Sequence, residues 1–182
     1  MAGKKSASEI YKRGAEISDV LGEIRYSGEF NYDKLYHGIY SWFKDMLYEV
    51  TETYKHKMTG SGAEVELAFK GEKKISEFMR WNMECETKIW GMGDVESVKD
   101  GKKQKLNKGR ILITISWKLT LDYSSRYSKT EWAMRMFNFI RYTLLRKKII
   151  IVWAGRITAE SYRLHTEIKK LLNMETAYSA WE

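Results

Sequence analysis

Proline is absent from this chain of 182 residues, and cysteine occurs once, at Cys85. Without X-Pro bonds no slow isomerisation interrupts folding, and turns fall to Gly, Asn, Asp and Ser. A lone cysteine excludes an intramolecular disulfide and any multi-cysteine metal site, which suits a reducing compartment. No apolar run approaches the roughly 18 residues of a membrane-spanning helix. The opening MAGKKSASEIYKRG has lysines but no apolar stretch behind them, so it does not read as a secretory signal. A cytoplasmic protein is expected. Glycine-rich phosphate loops, a nucleophile elbow and an HExxH helix are also missing, and no cofactor is implied.

What is present fits one globular α+β domain. Hydrophobic residues make up 43% and charged residues 31% of the chain, too apolar a balance for a disordered protein and long enough for a core. The expected organisation is a tail and short amphipathic helix over 1–30, a domain over 31–175 and a tail over 176–182. Seven Trp and twelve Tyr suit a core, an interface or a base-stacking surface. The net charge of +8 favours phosphate-rich partners and also aids solubility.

The organising stretch is Arg110 to Tyr123. Ile111, Ile113, Ile115, Trp117, Leu119, Leu121 and Tyr123 take every second position, which predicts a long antiparallel strand with one face on a core. Upstream, Ile10, Ile17, Leu21 and Ile24 keep helical spacing and predict a helix from Ser6 to Leu21 that Gly22 ends. Asn31 can cap a second helix bearing Tyr32, Leu35, Tyr36, Ile39, Trp42, Phe43 and Met46. Residues 48–58, rich in β-branched and aromatic side chains, predict a strand. Thr59–Gly62 reads as a hairpin turn, Ala63–Lys70 as a strand and Gly71–Lys74 as a second turn. Ile75–Trp90 then forms a strand with Met79, Trp81, Met83, Cys85 and Ile89 inward. Asp100-Gly101 is a two-residue turn signal, so the third and fourth strands are expected to continue as a projecting β-ribbon, with a bulge or bend at Asn107–Gly109. Trp132, Met136, Phe139, Ile140 and Leu144 give a helix face suited to covering a sheet, and a final helix runs from about Thr158 to Asn173. The assembled expectation is a four-stranded antiparallel meander with helices on one face.

Chemistry is sparsely signalled. His37, His56 and His165 come from separate elements, and only Glu52, on the face of His56, suggests a metal partner; a structural role is preferred. Cys85 is expected in the core, without a basic neighbour to activate it. Glu84 and Glu86 share an outward face and could divide acid and base roles, but Arg80, Lys88 and Lys118 can neutralise them. Trp81, Trp117, Tyr123, Trp42 and Trp132 could line a ligand cavity or fill a core. No catalytic residue and no metal site is assigned.

The basic ribbon is the strongest functional candidate. Lys99, Lys102, Lys103, Lys105, Lys108 and Arg110 crowd its two arms, where they could follow a phosphate backbone or enter a groove of RNA or DNA. Solvated lysines guarding a hairpin tip against edge pairing are the competing reading, with Asp94, Glu96 and Asp100 nearby. A second basic set, Arg135, Arg141, Arg146, Lys147, Lys148 and Arg156, reads better as the polar side of a core helix followed by the connector Ile149–Trp153 than as a membrane-surface patch. The element order, with the run from YDKLYHGIYSWFKD through KKISEF and DVESVKDGKKQKLNKG to LTLDY, resembles short uncharacterised archaeal α+β proteins over roughly residues 31–170. That resemblance implies no activity. The expectation is a non-enzymatic interaction protein, associating with a partner or itself, whose ribbon contacts nucleic acid. A structural subunit of a homo-oligomer and a small apolar-ligand-binding domain are the alternatives.

Overall fold

The alternation of Arg110–Tyr123 is realised as one strand of a five-stranded antiparallel sheet. The computed structural model describes residues 16–60, 62–99, 102–124, 131–140 and 152–174. In chain order the elements are β1 (Glu16–Phe30), α1 (Tyr32–Asp45), β2 (Glu49–Thr59), β3 (Gly62–Lys74), β4 (Met79–Lys99), β5 (Lys102–Leu121), α2 (Glu131–Ile140) and α3 (Gly155–Leu171). The strand order is β1-β5-β4-β3-β2. Strands β2 to β5 form the expected meander, and the sheet has one strand more than expected because β1 pairs along β5 from Glu16↔Thr120 to Phe30↔Asn107.

That added strand replaces part of an expected helix. Residues 6–15 lie outside the described residues, but from Glu16 onward the chain is extended. The register of β1 slips between Val20 and Gly22. A bulge adds a residue to one strand and resets its side-chain alternation. Ile17, Leu21 and Ile24 therefore fall four and three apart, which mimics helical spacing on an extended chain. Beyond the bulge, Ile24 and Phe30 are buried and Tyr26 is half-buried, the period of two restored.

A second difference concerns Gly71. The expected turn over Gly71–Lys74 is instead the end of β3, where Gly71 pairs with both Val50 and Met83. A Cβ at Gly71 would lie 2.7 Å from the Phe43 ring and 3.0 Å from Tyr48. The missing side chain is space for aromatic packing, not a turn. The actual turn follows at 75–78: the Ser76 hydroxyl accepts from the N–H groups of Phe78 (3.3 Å) and Met79 (3.1 Å), and the Ile75 N–H donates to the Met79 carbonyl at 3.0 Å. Strand β4 thus starts at Met79, later than the expected Ile75.

One face of the sheet carries the core. Val65, Leu67, Phe69, Trp81, Met83, Cys85, Ile89, Ile111, Ile113, Ile115, Trp117, Leu119 and Leu121 all point to it and are at most 5% exposed. Burying an aliphatic or aromatic side chain of this kind contributes about 1.5–3 kcal/mol before chain entropy is charged against it. Helix α1 is capped as its sequence suggests, with Asn31 Oδ1 accepting from the Lys34 N–H at 2.8 Å. It ends at Asp45 with Met46 as its cap, and Leu47 follows at φ 60°, where the Tyr48 N–H donates to the Phe43 carbonyl and the Leu47 N–H to that of Lys44. Helix α3 presents Ile157, Ser161, Leu164 and Ile168 to the core. The two helices touch at Gly38, where a Cβ would come within 2.5 Å of Leu171 Cδ1.

On helix α2, part of the stripe expected to cover the sheet is exposed. Trp132, Met136 and Phe139 are 69%, 41% and 64% exposed. Helix α3 touches β5 and β1, and α1 touches β2. Leu144 and the connector up to residue 151 lie outside the described residues.

The packing at Gly71 can be tested directly. Gly71→Val should lower stability by about 1–3 kcal/mol, as overpacked cores do, whereas Gly93→Ala, with open space around it, should stay within about 0.5 kcal/mol of the parent. Urea unfolding of both variants measures this, and an unchanged Gly71→Val midpoint would show that the Phe43 ring can withdraw.

Candidate nucleic-acid interface

The ribbon is defined by where its neighbours stop. The last partner of β3 on β4 is Met92, opposite Ala63, and the last partner of β1 on β5 is Asn107, opposite Phe30. From Val95↔Leu106 to Lys99↔Lys102 the β4–β5 pair continues alone, a length of about 14 Å at the rise of an antiparallel strand. Asp100 and Gly101, the expected turn, lie outside the described residues.

Glycines line the root of this ribbon. Gly28 pairs with Gly109 across β1 and β5. The β4 register slips between Trp90 and Gly93, with Gly91 at φ 61°. The irregularity therefore sits on β4, not at Asn107–Gly109 as expected. Gly109 is the residue the bulge leans on: a Cβ there would lie 3.1 Å from the Trp90 carbonyl oxygen. Asn107 has another task, tying the root together. Its Nδ2 donates to Asp94 Oδ1 at 2.9 Å and its Oδ1 accepts from the Tyr32 N–H at 3.2 Å.

The six candidate cations are distributed along the two arms. In backbone register Lys99 lies opposite Lys102, Lys103 opposite Val98, and Lys105 opposite Glu96. Lys108 lies between Glu29 of β1 and Gly93 of β4, and Arg110 between Ser27 and Trp90. Lys105, Lys108 and Arg110 are exposed. Lys108 and Arg110 thus belong to the ribbon root, where three strands are still paired, while the other four lie on the two-stranded part.

The open face of the sheet supplies neighbours that the sequence reading passed over. Trp90 is 36% exposed and shares the outward face with Arg110, its cross-strand partner. Lys88 precedes it on that face, opposite Leu112, which in turn pairs with Arg25 of β1. Two adjoining depressions of about 570 and 650 Å³ share Ser27, Trp90 and Arg110 as a common wall. Glu23, Glu64 and Asp94 also line them. Glu23 is engaged by Arg25 at 2.7 Å, and Asp94 accepts from Asn107. The signal for Trp90 was present: it is a large aromatic at the polar parity of β4, after Arg80, Asn82, Glu84, Glu86 and Lys88. Arg25 was hidden because it follows the helix expected over Ser6–Leu21 and no strand was expected there.

The other candidates resolve into structural arrangements. Glu84 pairs with Lys70 at 2.8 Å, whose ammonium pKa that carboxylate raises. Arg80 pairs with Glu72 at 3.0 Å and Lys118 with Glu16 at 2.8 Å. Glu52 accepts from the Tyr36 hydroxyl at 2.7 Å, and His56 stacks beside Tyr54 at 6.5 Å. His37 lies edge-on to Tyr36, and burial lowers the His165 pKa with help from Lys169. Among the described residues no group of three His, Cys, Asp or Glu could hold a metal ion. Trp81 packs against Trp153, and Trp42 against Phe43 and Tyr48, whereas Trp132 is outside this interior. Tyr123 lies under the Arg80 guanidinium. Arg156 covers Trp153 at 5.1 Å, Arg135 is exposed, and Arg141, Arg146, Lys147 and Lys148 lie outside the described residues.

One polar cluster was not foreseen. The Tyr48 hydroxyl donates to Glu160 Oε2 at 2.8 Å, Lys73 Nζ lies 3.4 Å from Oε1, and the same ammonium sits over the rings of Tyr48 (5.2 Å) and Trp81 (5.6 Å). Burial, then the Glu160 charge, raises the Tyr48 pKa. Both carboxylate oxygens are occupied, so the cluster pins α3 to β3 and the end of α1.

No protein-family model matches the chain, and neither does any curated protein. Among the described residues no helix is long and apolar enough to cross a membrane.

Cys85 gives a pH test. It is fully buried, and burial pushes its thiol from 9.0 up to about 12. A raised folded-state pKa means that the unfolded chain loses its proton first, so this contribution is whole below pH 9 and disappears as pH rises towards 12. Stability should therefore fall between pH 9 and 10, Cys85 contributing a slope approaching about 1.4 kcal/mol per pH unit, to which Tyr32, Tyr36 and Tyr48, whose pKa values are also raised, begin to add. Cys85→Ala should be less stable at pH 7 yet flatter across that interval in urea titrations.

Proposed function

We propose that this chain is a non-enzymatic interaction protein whose basic ribbon contacts the phosphate backbone of RNA or DNA. The observation that supports this reading is the β4–β5 pair continuing past both flanking strands while carrying Lys99, Lys102, Lys103 and Lys105, with Lys108 and Arg110 at its root. A two-stranded ribbon can enter a major groove, and cations along it displace condensed counterions. Contacts of this kind are strongly salt-dependent and largely blind to base sequence.

Fluorescence anisotropy with a labelled oligonucleotide, over a salt series on nuclease-treated protein, tests the proposal. Lys105→Glu with Lys108→Glu should weaken binding at low salt and reduce the slope of log K against log salt by about two units, one for each phosphate that is no longer neutralised. Binding that is absent, or that neither salt nor this double variant changes, overturns it.

A second reading, association between copies of the chain, draws on a different observation: the exposed stripe of Trp132, Met136 and Phe139 on α2. Apolar surface of this kind favours contact with another apolar surface. Light scattering should then give a mass above 21.5 kDa that Trp132→Glu with Phe139→Glu returns to the monomer value. A monomeric parent removes this reading.

A further inference from the structure

We propose that the nucleic acid taken by this protein is single-stranded, with a base stacked on Trp90 at the root of the ribbon. This rests on the ribbon reading and deepens it. Duplex binding by the ribbon needs only the lysine-bearing arms. It gives no account of a large indole left exposed on the open face of the sheet, next to Arg110 and Leu112, beside the arms and not on them.

The placement has three parts. Trp90 is the outward residue of β4 immediately before the register slip, and Arg110 is its cross-strand partner. Lys88 and Arg25 follow along the same face on β4 and β1, and Lys108 leads from Arg110 towards the ribbon. The depressions on either side of the Trp90–Arg110 wall, about 570 and 650 Å³, leave open space beside the ring. An aromatic surface flanked by cations that follow a line is the arrangement by which proteins hold single strands: bases stack on the ring, and phosphates track the charges. A duplex keeps its bases in its own stack and cannot offer one to Trp90 without breaking pairs.

The carboxylates fit this arrangement. Glu23 holds the Arg25 guanidinium at 2.7 Å by Nη2 and 3.2 Å by Nε, and Asp94 is satisfied by Asn107. Both fix their partners in place; Lys88 lies opposite Glu66 and Lys108 opposite Glu29 in register, so Arg110, between Ser27 and Trp90, is the cation of this set with no carboxylate across from it on either neighbouring strand. Glu64 remains on the far side of one depression and disfavours a phosphate there, which directs the backbone along the β5 and β1 side of Trp90.

The test compares one labelled pyrimidine oligonucleotide of about 12 nucleotides, within the usual site size for such surfaces, with its duplex at low salt. The parent should favour the single strand. Trp90→Ala should weaken single-strand binding about tenfold and change duplex binding less than twofold, while Trp90→Tyr keeps most of the affinity. Lys105→Glu with Lys108→Glu should weaken both. Circular dichroism melts check that the Trp90 variants remain folded, and the Tyr variant keeps the comparison valid if Ala does not. Equal binding of both nucleic acids, unchanged in Trp90→Ala, overturns the stacking site and leaves the ribbon reading intact. Absence of binding to either overturns both. A fall in the protein's own mass on Trp90→Ala, with single-strand binding unmoved, overturns it in favour of a second copy on this face.

Discussion

The pairing of β4 with β5 is the constraint on which the structure depends. Over its first part, from Met79↔Leu121 to Ile89↔Ile111, it places Trp81, Met83, Cys85, Ile113, Ile115 and Leu119 on one side and so fixes which face of the sheet is core. Because side chains alternate strictly, a slip of one residue would exchange this face with the one carrying Arg80, Glu84, Glu86 and Lys118. The cost of that exchange holds the register, and the register in turn sets where the ribbon begins. The same pair continues past the sheet without a core, where lysines replace isoleucines. One hairpin therefore serves as the centre of the fold at one end and as an exposed arm at the other.

The legibility of the fold follows from this. Long strands with unbroken alternation, β5 above all, are visible in the sequence because each inward position is apolar and each outward one mostly polar. Asn31 as a cap and the Thr59–Gly62 hairpin were visible for local reasons, since the chemistry sits within a few residues of its effect. β1 was not visible, because the slip at Val20–Gly22 turns a period of two into spacings of three and four. Gly71 was misread for a different reason. A glycine tolerates turns, but it also makes room, and only the positions of Phe43 and Tyr48 decide between these uses.

The candidate site was half legible. The ribbon lysines are adjacent in sequence and announce themselves as charge. The outward face around Trp90 is assembled from β1, β4 and β5, and Arg25 reaches it only because β1 joins the sheet. The Tyr48, Lys73 and Glu160 cluster has the same character: three elements far apart in the chain converge on one carboxylate. Spacing rules operate within an element, so sites made between elements leave little trace in any one of them.

The attachment of β1 to β5 has a consequence for how the chain reaches its fold. The strand nearest the start of the described chain pairs with the last strand of the sheet, Glu16 with Thr120 at one end. During synthesis β1 emerges first, while the edge it occupies does not exist until β5 has been made. Such long-range pairing slows folding, since a large loop must close before its contacts form. Until then, Ile17, Ile24, Tyr26 and Phe30 are without their sheet neighbours, and β5 keeps an open edge. The bulge and the charges of β1 at Glu16, Asp19, Glu23 and Arg25 suit a segment that must wait in water, because both devices discourage an unpaired strand from joining the wrong edge.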